Sequence, residues 1–132
     1  MKNNQNIQGW RADQIVKLFV LNSGVLSITE NYPDIDDRLD YIGIYRENPQ
    51  IKFGIVIKAT KYSQSEIDRK YTSTQEDMEL PVIYFFIDYD KEAGVFRLTK
   101  NRTYTGTLIP MEKEKFKFEI NKYINDYYSN SQ

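Results

Sequence analysis

The chain has 132 residues, 40% of them hydrophobic and 28% charged, with 18 Lys+Arg against 19 Asp+Glu for a net charge of −1. That is the size of one ordinary domain, long enough to bury roughly two-thirds of its unfolded surface, and too balanced in charge for a broad electrostatic grip on nucleic acid. With no Cys and no His, the composition excludes disulfide frameworks, thiolate or imidazole zinc sites, cysteine nucleophiles and Ser-His-Asp chemistry, so any catalysis rests on carboxylates, Lys, Arg, Tyr or a bound ion.

No apolar run reaches the roughly 18–20 residues of a membrane span. The longest candidate, residues 15–21, is short and interrupted by Lys17. The first six residues are polar and lack a secretory core. These features predict a soluble, cytoplasmic protein with no membrane partner. Frequent Asn, Lys, Ile and Tyr suit an AT-rich bacterial or phage genome. No repeat, low-complexity tract or linker divides the chain, so residues 1–132 read as one domain.

The first predicted element is a helix over 7–23. Ala12, Ile15, Val16 and Phe19 fall at i, i+3, i+4 and i+7, one stripe of a helix. Gly24 suits a left-handed C-terminal cap. Residues 25–29 alternate as a short strand, and 30–38 form an acidic, turn-rich loop around Pro33. Residues 39–45 and 51–59 read as two strands. Glu47-Asn48-Pro49-Gln50 between them is turn chemistry, which predicts a hairpin. Residues 61–80 are polar, with helical turns expected around 65–70 and 75–79. Residues 82–89 are almost wholly apolar or aromatic, as in a strand buried on both faces. The chain turns over 90–94 and returns over 95–99, and 104–109 is a last strand or extended segment. Pro110 fits the first turn of a closing helix. Phe116, Ile120, Tyr123, Ile124 and Tyr127 mark its apolar face. Phe116, Phe118 and Ile120 also alternate as a strand would, but the helical stripe persists over three turns. The order predicts an α/β domain with a mixed central sheet flanked by an N-terminal and a C-terminal helix.

The hairpin carries the most chemistry. A five-residue loop over 47–51 pairs Arg46 with Lys52 and Asp40 with Lys58. Asp40, Val56 and Lys58 then share one face, because side chains alternate along a strand. A one-residue slip would reverse every side chain. The Asp can hold a divalent cation through oxygen, and the Lys can position a water or stabilise charge on a phosphoryl oxygen.

Leu39-Asp40-Tyr41-Ile42-Gly43-Ile44, then Ile55-Val56-Ile57-Lys58-Ala59-Thr60, then Leu80-Pro81-Val82-Ile83-Tyr84-Phe85-Phe86-Ile87-Asp88 follow a predicted helix in that order. The arrangement resembles the PD-(D/E)xK nuclease superfamily, and within it the small uncharacterised bacterial branches. The resemblance covers about residues 9–100 and implies a restriction-endonuclease-like core. It further implies a Mg²⁺-dependent nuclease-like protein acting on nucleic acid. Asp40 matches the metal-binding Asp and Lys58 the catalytic Lys. Val56 stands where the family has Glu, Asp or Gln, which leaves the metal site one oxygen ligand short and puts catalysis in question. Asp13 on the first helix is the nearest match to an extra acidic ligand found in some members, and Asp36 and Asp37 are candidates for a migrated one.

Plainer readings compete. Asp40 equally reads as a strand cap, and Lys58 as its ion-pair partner or a lysine reaching from the sheet end to water. Asp34, Asp36 and Asp37 read as a solvated acidic loop. Lys61, Arg69 and Lys70, with Arg97, Lys100 and Arg102, could line a phosphate track on which Tyr62 and Tyr71 stack, or could be ordinary surface charge. Trp10 is expected to pack against the first helix, and Tyr123, Tyr127 and Tyr128 to edge the core or offer an aromatic partner surface. The main alternative to a nuclease is therefore a non-enzymatic protein-binding module on the same fold, an inhibitor, immunity or regulatory partner.

Overall fold

A six-stranded mixed sheet organises the chain. The computed structural model describes residues 3–30, 39–59, 65, 80–88, 90–98 and 108–130. Their order is α1 (Asn3–Ser23), β1 (Leu26–Glu30), β2 (Tyr41–Tyr45), β3 (Lys52–Ala59), β4 (Val82–Asp88), β5 (Ala93–Leu98), β6 (Ile109–Pro110) and α2 (Lys113–Asn130). The strands lie side by side in sequence order. Every neighbouring pair is antiparallel except β3 and β4, which run parallel from Gly54↔Val82 to Ala59↔Ile87. A parallel pair requires the chain between its strands to cross from one end of the sheet to the other.

The first helix buries Ala12, Val16 and Val20 completely, with Ile15 and Phe19 partly buried beside them. Its end is built from three successive residues. The Ser23 hydroxyl donates to the Val20 carbonyl at 2.6 Å and accepts from the Val25 N–H at 3.3 Å. Gly24 takes φ 76° and donates to the Leu21 carbonyl at 3.2 Å. A side chain at that left-handed position costs on the order of 1 kcal/mol, which is why the helix stops at a glycine.

Both helices pack on the same face of the sheet. Phe116, Ile120, Tyr123 and Ile124 of α2 join Val16 and Val20 of α1 over Phe53, Ile55, Ile83, Phe85, Ile87 and Phe96. Phe116 is the hub, with ring centroids 5.2 Å from Phe19, 5.3 Å from Phe96 and 5.9 Å from Phe85. Phe118 is 63% exposed. A strand would have turned Phe116, Phe118 and Ile120 to one face, and only the helical period separates them. Pro110 sits in β6 opposite Val95 rather than in the helix, so α2 opens three residues later than its proline suggests.

The second sheet face carries its own cluster of Leu39, Ile42, Val56, Val82, Tyr84, Phe86 and Leu108. β4 thus supplies Ile83, Phe85 and Ile87 to one core and Val82, Tyr84 and Phe86 to the other, which explains its unbroken apolar sequence. The architecture is α/β, with a mixed sheet and N- and C-terminal helices, as the sequence predicts. No helix among the described residues is long and apolar enough to cross a membrane. The expected helical turns at 65–70 and 75–79 lie outside the described residues, apart from Ser65, which is helical. The segment before Leu108 also lies outside them.

Candidate functional site

The hairpin forms, with its five-residue loop one position earlier than expected. Hydrogen bonds around Asn48 close it. Tyr45 donates its N–H to the Ile51 carbonyl at 3.0 Å, Ile51 donates to Asn48 O at 2.9 Å, and the Asn48 side chain accepts from Gln50 N–H at 3.2 Å. The loop is therefore residues 46–50, and the ladder runs Ile44↔Lys52, Gly43↔Phe53, Ile42↔Gly54 and Tyr41↔Ile55. Continued by one residue, that register sets Asp40 opposite Val56, two residues short of Lys58.

The strand also bends at Asp40. Leu39 and Ile42 both enter the second-face cluster, although simple alternation would send them to opposite faces. Leu39 lies against Gly54, where a Cβ would come within 2.6 Å of Leu39 Cδ2. The bend turns the Asp40 side chain toward the neighbouring strand. Its backbone N–H donates to the Ile55 carbonyl at 2.8 Å. Its Oδ2 accepts the Ile57 N–H at 2.7 Å. The carboxylate thus takes the place of a backbone carbonyl at the end of the ladder.

Two other sequence candidates gather around it. Partial burial raises the Asp40 pKa above its ordinary value, the Ile57 hydrogen bond opposes the rise, Asp13 adds to it and Lys58 opposes it. Lys58 directly follows Ile57, whose N–H holds the Asp40 carboxylate, and Asp13 accepts from the hydroxyl of Tyr41, the residue next to Asp40. Lys58 is half-buried near the end of β3 and forms no direct ion pair with Asp40. Asp13 reaches the same region from α1, where its Oδ2 accepts the Tyr41 hydroxyl at 2.8 Å. One turn on, the Lys17 ammonium lies 4.5 Å from the Tyr41 ring centroid. Sequence reasoning missed Tyr41 and Lys17. The available signal was the i, i+4 spacing of Asp13 and Lys17, which places both on one strip of the helix.

Val56, at the position of the expected second acidic ligand, is 5% exposed within the apolar second-face cluster. Mg²⁺, which the resemblance implies, prefers octahedral oxygen coordination and gives up its water reluctantly. Here Asp40 and Asp13 each have one oxygen committed to a protein donor, and the third position offers no oxygen. Among the described residues no three acidic side chains group as metal ligands. The described residues therefore do not fit a Mg²⁺ site by themselves. What the arrangement offers is a carboxylate whose pKa burial raises, held by the Ile57 N–H one residue before a lysine able to meet an anionic oxygen.

The remaining candidates divide. Asp36 and Asp37 lie outside the described residues, as do Lys61, Tyr62, Arg69, Lys70, Tyr71, Lys100 and Arg102. Arg97 is 3% exposed, with its guanidinium carbon 6.0 Å from the Phe86 ring centroid, so it belongs to the second-face packing and not to a surface phosphate track. Tyr123 is a core residue. Trp10 is 63% exposed instead of packed. No family model matches the chain, and no curated protein or solved structure matches it.

Proposed function

We propose that the chain is a nuclease-like protein, related to Mg²⁺-dependent phosphodiesterases, whose sheet-end site no longer cleaves. The observation that carries this reading is the Asp40 carboxylate held on the Ile57 N–H, next to Lys58, with Asp13 bonded to the neighbouring Tyr41 and Val56 buried at the position that needs an oxygen. Support also comes from the succession of elements: a helix, the edge strand β1, the strand that follows Asp40, an antiparallel strand bearing Lys58, then a crossover to a parallel strand. Lys58 retains the chemistry to contact a phosphodiester oxygen. Water activation is what the site lacks.

The test is cleavage of plasmid DNA, single-stranded DNA and RNA at millimolar Mg²⁺ or Mn²⁺, comparing the native chain with Lys58→Ala. The expected result is no cleavage above the Lys58→Ala background. Robust metal-dependent cleavage that Lys58→Ala abolishes would overturn the reading and establish a live nuclease with a relocated ligand.

A second reading, a non-enzymatic protein-binding module on the same fold, is favoured by Trp10. A tryptophan on the outer side of α1 contributes little to the core, and exposed tryptophans are enriched at partner interfaces. Loss of partner affinity on Trp10→Ala, with nucleic-acid affinity unchanged, would favour this reading over the first.

A further inference from the structure

We draw no further inference here: the strongest candidate, the outer side of α1, where the apolar side chains of Trp10, Leu18 and Leu21 stand exposed, is a helix face for which nothing in the structure shows what covers it.

Discussion

Replacing Asp40 tests whether its carboxylate works at the sheet end as an acceptor or as a charge. Asp40→Ala removes the acceptor of the Ile57 N–H and leaves a ladder donor at a half-buried position. The loss of one such bond costs about 1–2 kcal/mol. Asp40→Asn keeps an oxygen in the same place and removes the charge that burial and Asp13 disfavour, so it should match or exceed the native stability at pH 7. The pH dependence has a definite sign. The folded pKa lies above the ordinary carboxylate value of about 3.9. Between those two values the folded state therefore binds more protons than the unfolded state, and the Asp40 contribution declines as pH rises. It is most favourable below the ordinary value and least favourable above the raised one. The advantage of Asp40→Asn should accordingly grow as pH climbs from about 4 and level off once the native carboxylate is ionised. Urea unfolding of the three proteins at several pH values measures this directly. If Asp40→Asn lost as much stability as Asp40→Ala at pH 7, the charge itself, through Lys58, would be what holds the strand end, and the capping argument would fail.

Two further perturbations separate core from surface. Val56→Glu places a carboxylate inside the second-face cluster and should destabilise by about 3 kcal/mol or more, read as a lower urea midpoint; partial recovery in Mn²⁺ would reveal oxygen ligands close enough to share an ion. Gly94→Ala brings a Cβ to 2.3 Å from the Phe86 carbonyl oxygen, a backbone clash expected to cost about 2–3 kcal/mol, whereas Gly9→Ala, with nothing within 4 Å, should gain about 0.5–1 kcal/mol; thermal melts showing the reverse order would contradict the packing described here.

The elements most visible in the sequence were those whose burial repeats at a single period. α1 and α2 announced themselves through Ala12, Val16 and Phe19 and through Phe116, Ile120 and Tyr123, because each helix presents one stripe to one sheet face. β4 was legible for the opposite reason, since packing on both faces leaves no polar residue to break its run. The hairpin was legible as a unit, but its register was not. Asn48 and Pro49 permit the loop to close at either of two neighbouring pairs, and the choice depends on burial of Tyr45 and Ile51 against distant residues. The bend at Asp40 was hidden as well. It follows from Leu39 filling the space over Gly54, a contact between strands that local propensity does not encode. Of the candidate site, Asp13, Asp40 and Lys58 are legible in the sequence, whereas the bonds that occupy Asp40 and Asp13 come from Ile57 and Tyr41, which no catalytic motif marks.

The single parallel junction between β3 and β4 divides the molecule into two pieces of differing history during folding. α1 through β3 and β4 through α2 are each built from neighbouring antiparallel strands and one helix, so each can begin to form from contacts close in sequence. The seam between them must wait for a long loop to close. The rings that lock it, Phe19 against Phe116 and Phe53 against Tyr123, each join a residue before the crossover to one in α2. A chain cut within the crossover would consequently yield two fragments with exposed, complementary strand edges, each carrying half of the helix-side core. Such fragments are suited to reassemble on mixing, and the same edges make either one prone to aggregate alone.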